Sequence, residues 1–414
     1  MIGPAATKRE TAPRHMSGAS ADVIIIGAGI IGAACARSLA RAGRSVIVVE
    51  RGAAASATSA QGEGNLLVSD KAPGPELSLA LYSSTLWDPA VRQLRDELGP
   101  QFPSIEFERK GGLVVATTEA GAQPLLNFAA SQSEAGVDAR SIDAAEAHDY
   151  EPELTDNLTA AVFYPQDAQV QPVAATEALL ASARFAGARV LTDTEVVGAI
   201  RDPQHPDTII GVQTAAGAMY APDVVIAAGP WSGEVAAVLG VTLPIRPRRG
   251  MVLVTTRMPH KIFHKVYDGD YFGATQSSDA SLQTSSVIES TAAGTVLIGS
   301  SREQVGFDEQ LRVGVLSEIA QKSMRLFPFL ESASVMRSYG GFRPYMPDHL
   351  PVIGADHRVS GLWHASGHEG AGIGLSLATA EILTAQLLGE STPVDDSPFA
   401  LDRESLAPFL GSAA

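Results

Sequence analysis

Six residues near the amino terminus, Gly27-Ala28-Gly29-Ile30-Ile31-Gly32, have the spacing that holds a pyrophosphate. The first glycine permits a tight turn, the second lets the backbone approach a ligand, and the third lets a helix pack on the preceding strand. N–H groups at the helix start then point at the phosphates. Glu50 stands 18 residues beyond Gly32, where a carboxylate accepts the ribose hydroxyls and repels a 2′-phosphate. A second candidate is Arg343 in Gly340-Gly341-Phe342-Arg343-Pro344. A guanidinium held between glycines and a proline is rigidly placed, and its planar fork suits a carboxylate. A third is Gly367-His368-Glu369-Gly370-Ala371-Gly372-Ile373-Gly374. It opens the last long helix and aims another set of N–H groups at developing negative charge, such as the N1–C2=O edge of a reduced flavin.

Weaker signals accompany these. Arg51 and the loop from Ser59 through Gly62, Gly64 and Asn65 favour FAD over NAD as the dinucleotide. The run Val224-Val225-Ile226-Ala227-Ala228-Gly229-Pro230-Trp231 is an apolar strand that ends in small residues, as close backbone packing on a cofactor requires. His264 and Tyr271 fall in a strand-rich region and are candidates for lining a substrate pocket, as are Lys265 and Tyr267. His368 and Glu369 are candidates for contact with substrate. Cys35, between two alanines, reads as a packing residue.

The positioning elements follow from periodicity. An apolar strand at 22–26, a helix at 30–42 ended by Gly43, and a second strand at 44–50 make a β-α-β unit. The segment 57–70 reads as loop, 75–98 and 174–186 as helices, and 189–201 as mostly strand. Residues 211–228 read as a hairpin arm leading into a buried strand. From 245 to 298, strand-like runs at 251–256, 266–272 and 295–299 alternate with turns, the pattern of an antiparallel sheet. Helices return at 315–326 and 374–388, with two short strands between 350 and 363. The expected architecture is α/β, or α+β in two domains: a Rossmann-like FAD-binding domain with an inserted antiparallel-sheet substrate domain. The nucleotide domain is expected at 21–100, 160–235 and 337–395, and the substrate domain at 101–159 and 236–336. Residues 1–20 read as a disordered leader and 396–414 as a tail.

Composition narrows the function. The 414 residues are 45% hydrophobic and 18% charged, enough to bury a full core. A net charge of −16 argues against a nucleic-acid or anionic-membrane surface. No apolar run is long enough to span a bilayer. A single cysteine builds neither an intrachain disulfide nor an iron–sulfur cluster, and fits a cytoplasmic location. No metal site is expected.

Taken together, these segments resemble the D-amino-acid-oxidase-like superfamily, which includes glycine oxidase and sarcosine oxidase. The likeness runs from about residue 22 to 388. It rests on GAGIIG with Glu50-Arg51, the VVIAAGPW segment, GFRP before PDHLPVIG, and SGHEGAGIGLS. It implies non-covalent FAD, with Val196 near the adenine and Arg343 clamping the substrate carboxylate. The implied reaction oxidises the C–N bond of an amino acid, D-proline analogue or opine to an imine by hydride transfer to flavin N5. A narrower likeness to the flavin subunits of opine oxidases and D-hydroxyproline dehydrogenases is carried by Gly62-Glu63-Gly64-Asn65, Arg248-Arg249-Gly250 and His264-Lys265-Val266. It implies a hetero-oligomer with a second flavoprotein subunit and an iron–sulfur subunit.

Two departures from the family bear on the chemistry. Glycine oxidase has a second arginine where this chain reads His368-Glu369-Gly370. The lysine that promotes reaction with O2 in monomeric sarcosine oxidase is matched by Leu297, which leans toward a dehydrogenase. The rivals are a peroxide-producing oxidase, a relay subunit that docks partners and passes electrons, and an NAD-dependent dehydrogenase.

Overall fold

The computed structural model describes residues 19–269 and 277–410. Tyr271 and most of the expected leader lie outside the described residues. A six-stranded sheet carries the nucleotide motif. Its order is Val352–Ala355, Leu362–Ser366, Asp223–Ile226, Val23–Ile26, Val46–Val49 and Arg189–Leu191. All neighbours run parallel except the Val352–Ala355 edge strand. Its strands Val23–Ile26 and Val46–Val49 are apolar throughout because both faces are covered. Ile25 and Val48 face a core shared with the helices Ile30–Arg41, Pro75–Leu98, Pro172–Phe185 and Gly372–Leu388. Ile24, Ile26 and Ile47 face a second core. That core is capped by a four-stranded sheet of Ala19–Ser20, Gly217–Tyr220, Ile209–Thr214 and Val196–Arg201.

Beside this stands an eight-stranded sheet. Its order is Val335–Tyr345, Arg246–Thr255, Val296–Arg302, Gln283–Ser290, Lys265–Asp268, Gly112–Ala116, Ala160–Tyr164 and Arg140–Ile142. The helix Val313–Leu326 packs on it through Val315, Ile319 and Leu326.

Most expected elements appear with small shifts, and the differences have physical causes. The helix expected at 174–186 starts two residues earlier, since Pro172 suits a first turn and the Gln171 side chain accepts from Ala174 N. The expected loop 57–70 contains a 3-10 turn, Thr58–Gln61, and a short strand, Asn65–Leu66, paired with Ala168–Gln169. The sheet is not purely antiparallel, because Lys265–Asp268 pairs parallel with Gly112–Ala116. Gln283–Ser290 is a strand the pattern hid: its residues read polar, yet Ser285, Ser286 and Glu289 are buried.

The expected domain boundaries also differ in sheet membership. Residues 160–164 and 337–345, assigned from sequence to the nucleotide domain, pair within the large sheet. Val335–Tyr345 stays extended through both glycines because Arg246–Thr255 bonds it along its whole length.

The turn at Gly27 shows how tightly the motif is built. Gly27 has φ +113°, and a Cβ there would lie 2.5 Å from the Ala227 carbonyl oxygen. A Cβ on Gly32 would overlap the Gly27 carbonyl. Gly32→Val is therefore expected to destabilise the fold by roughly 1–3 kcal/mol through overpacking. Thermal melting followed by circular dichroism measures this, and an unchanged melting curve would contradict the contact.

Candidate active site

One cavity of about 400 Å³ runs between the six-stranded and eight-stranded sheets. At one end it is walled by Gly27, Gly29, Ile30 and Ile31 of the first turn. Ile30 N donates to Ser59 Oγ at 3.0 Å, so a residue of the supposed loop sits on the helix start. Glu50 follows at the end of its strand. Its Oε2 accepts from Ala28 N and its Oε1 from Gly52 N, both at 2.9 Å. Each carboxylate oxygen keeps further lone pairs for hydroxyl donors. Thr194, Glu195 and Val196 continue the wall. Arg51 lies over the Trp231 ring at 4.4 Å, and Trp231 stacks on Phe307 with centroids 5.1 Å apart. Such a cation–π contact is worth about 0.5–2 kcal/mol and fixes the rim beside Ala228 and Gly229.

At the far end the cavity meets the strand Val335–Tyr345. Gly341, Phe342, Arg343 and Pro344 line it, opposite Gly250 and Val252. Arg343 is half-buried, and its Nη1 donates to Ser301 O at 2.9 Å. A Cβ on Gly250 would collide with the guanidinium, so the side chain lies across that glycine. Thr58 Oγ1 donates to Phe342 O at 2.7 Å and ties the 3-10 turn to the strand that carries Arg343. Gly62, Asn65, Gly367, Gly370, Gly372 and Ile373 complete this end. The helix Gly372–Leu388 begins here with no side-chain cap among the described residues, so its positive end faces the cavity.

Glu369 lines the cavity with φ +45°, and His349 has φ +61°. Neither residue adopts that backbone cheaply, and such strain clusters at functional positions. His349 Nδ1 and Glu369 Oε1 are 2.8 Å apart. The hydrogen bond to Glu369 raises the His349 pKa above its usual 6.5, against the effect of burial.

The structure separates several sequence candidates from the cavity. His264 stands away from it: its Nδ1 lies 3.0 Å from Glu151 Oε1 and its ring packs on Phe163 and Tyr150. His368 has a different fate. Its backbone reaches the cavity, but its ring is buried and bonded to Thr379 Oγ1 at 2.9 Å. Burial pushes its pKa down to about 3, which leaves a neutral, packed imidazole and no proton to exchange near neutrality. Three expected cofactor residues act from behind the wall. Ala28 orients Glu50, Gly32 packs on Gly27, and Gly64 leaves room for the Val170 carbonyl. Ala371 caps the last helix. Cys35 is wholly buried and its thiol is pushed up to about 12.

Residues of the Ser/Gly loop and the expected pocket residue Lys265 also meet at this end. Gln61 presses on Gly341, and Glu63 lines the cavity with buried Lys265 3.9 Å behind it. Lys265 pairs with Glu289 at 3.0 Å. Leu297, by contrast, packs in an apolar cluster with Val252 and Val254.

A glycine turn, an acidic residue at the next strand end and a long cavity together define a dinucleotide-binding oxidoreductase fold. The chain belongs to the family described as FAD dependent oxidoreductase (DAO), which matches residues 22–386. It is similar to the hydrogen cyanide synthase subunit HcnC of Pseudomonas aeruginosa, 27% identical over 92% of this chain and 96% of that protein. It is also similar to glycine oxidase of Geobacillus kaustophilus, 30% identical over 92% of this chain and 97% of that protein. The crystal structure of the Geobacillus kaustophilus enzyme superposes with a TM-score of 0.83 at 28% identity, covering 93% and 99% of the two chains. The cofactor is therefore FAD, and the NAD-dependent alternative falls. Among the described residues no helix is long and apolar enough to cross a membrane, and no cluster of side chains suits a metal.

Two outcomes follow. Glu50→Ala is expected to weaken FAD binding by roughly tenfold or more, the scale of lost charge-assisted hydrogen bonds. Quenching of flavin fluorescence on titration reports it. For His349 the folded pKa is raised, so the pair's contribution to stability is full below pH 6.5 and is lost as pH rises through the folded value. Glu369→Gln should remove that decline from the plot of melting temperature against pH.

Proposed function

We propose that the chain oxidises the C–N bond of an amino acid or related secondary amine to an imine, which then hydrolyses in water. The observation that carries this is Arg343: a half-buried guanidinium lying over Gly250 in the same cavity as Gly29 and Glu50. Bound FAD supplies the two-electron acceptor for this oxidation. The Gly29 turn and Glu50 would hold the nucleotide part, and Gly370 to Ile373 would face the ring end. Arg343 holds the substrate carboxylate and so fixes the adjacent C–H in one orientation. The amine must be neutral to release its lone pair. A cavity that excludes water and presents a cation favours that neutral form. No acid–base triad is required, and His368, buried and neutral, supplies none. Glycine oxidase among the relatives supports an amino-acid substrate.

The proposed acceptor of electrons is a partner or carrier and not O2. Leu297, in its apolar cluster, supports this reading, as does a relative that is itself named as a subunit. Cys35 alone cannot hold an iron–sulfur cluster, so any such centre belongs to a partner. The narrower likeness to opine-oxidising subunits belongs to this proposal too. Arg343→Ala is expected to keep its yellow colour and lose at least about a hundredfold in kcat/KM, as for a lost carboxylate clamp. Anaerobic bleaching of the flavin by amino acids, D-proline analogues and opines measures it. Wild-type bleaching rates in the variant would remove the clamp. Peroxide yield set against dye reduction separates an oxidase from a dehydrogenase.

A further inference from the structure

Two arginines stand directly across from each other in the large sheet. Arg248 and Arg343 are register partners on Arg246–Thr255 and Val335–Tyr345. Like charges so placed repel. Arg343 reaches the cavity across Gly250. Arg248 is wholly buried, and its Nε and Nη1 have no hydrogen-bond partner among the described residues. Its Nη2 makes one long bond, 3.4 Å, to Gln283 Oε1. The Tyr345 ring lies 5.6 Å away.

The neighbouring arginine shows what a structural guanidinium receives in this sheet. Arg249 Nη2 donates to Glu303 at 2.6 Å, and its Nη1 donates to the Asp308 carboxylate at 2.8 Å and to the Gln310 carbonyl at 3.1 Å. Arg248 receives no such set. Glu369 Oε2 approaches its Nη1 only to 3.7 Å, beyond hydrogen-bond reach. Glu369 is also shared, since its Oε1 is already bonded to His349. Arg302 is a further cation close by. Glu369 lines the cavity and Arg248 does not, so Arg248 Nη1 lies behind the Glu369 carboxylate in the cavity wall, on the strand beside Arg343.

We propose that Arg248 is a second anion subsite and that the substrate is a dicarboxylic amine, one carboxylate held by Arg343 and the other by Arg248. The reaction in this statement rests on the amine-oxidising reading above; the binding does not. An amino acid with a carboxylate on its side chain or its nitrogen substituent fits. A glycine-like substrate leaves a buried guanidinium with unmade hydrogen bonds, which is how a polar site rejects an analogue lacking the matching group.

The test titrates the oxidised holoprotein with glutarate and with pentanoate, unreactive acids of equal carbon count, and follows the flavin absorption band. Glutarate is expected to bind tighter by roughly tenfold or more, the scale of one charge-assisted pair. Arg248→Met should abolish that preference while the protein stays yellow, and Arg248→Lys should keep part of it. Equal affinities in the wild type, or an equal loss for both acids in yellow Arg248→Met, would overturn the subsite. Should Arg248→Met fail to fold, the wild-type preference and its reduction in Arg248→Lys decide the matter. A parallel anaerobic screen sets N-carboxymethylalanine against glycine. A flavin that no amine bleaches, with the glutarate preference intact, defeats the amine reading and leaves the subsite standing.

Discussion

The missing side chain at position 250 is the constraint on which the substrate end of this cavity turns. The Arg343 guanidinium occupies the volume that a Cβ there would fill, and the strand pairing fixes the backbone from which it reaches. An arginine has several rotatable bonds and loses much freedom when it is fixed. Here the cost is met by geometry: a flat seat over a glycine, a carbonyl acceptor at Ser301, and a proline locking the next backbone angle. The cation is thus held in one place without a ligand, which is the general condition for orientation to accelerate a reaction.

Around that seat the protein manages charge unevenly. At the Glu50 end the carboxylate is satisfied, since it takes two backbone N–H groups. The Arg343 end is rich in cations, with Arg248 and Arg343 across one ladder. Burial disfavours the Arg248 charge, Glu369 favours it, and Arg302 opposes it. Glu369 is kept at a left-handed backbone position where a glycine would sit more easily, which indicates that its carboxylate is what that position retains.

How much of this was legible in the sequence depended on the range of the interactions. The β-α-β unit and its glycines were readable because turn, helix start and strand are local signals within about thirty residues. Arg343 was readable from its flanking glycines and proline, although not the extended strand that carries it, which is set by a partner some ninety residues away in sequence. Arg248 was visible only as one of two adjacent arginines. Which one faces solvent, a structural acceptor set or a cavity is decided by strand register, and a two-residue period cannot say which face is which. His264 misled because a histidine in a strand-rich segment carries no sign of the buried Glu151 that binds it. The strand at Gln283–Ser290 was hidden because, beside Val287 and Ile288, its buried positions include serines and a glutamate paired with Lys265.

The cavity wall draws on residues 26–65, 194–238, 250–252 and 341–373. Its central parallel strand, Val23–Ile26, is flanked by Val46–Val49 on one side and by Asp223–Ile226 on the other, with Leu362–Ser366 beyond. A chain emerging from the ribosome therefore cannot close this cleft until its final quarter has been synthesised. The early β-α-β unit must wait with one flank uncovered, exposed to the aggregation that slow, non-local sheets invite. Cofactor capture in such a topology is a late event in the life of the polypeptide, and a chain ending before Gly341 lacks both Arg343 and the last wall of the cavity.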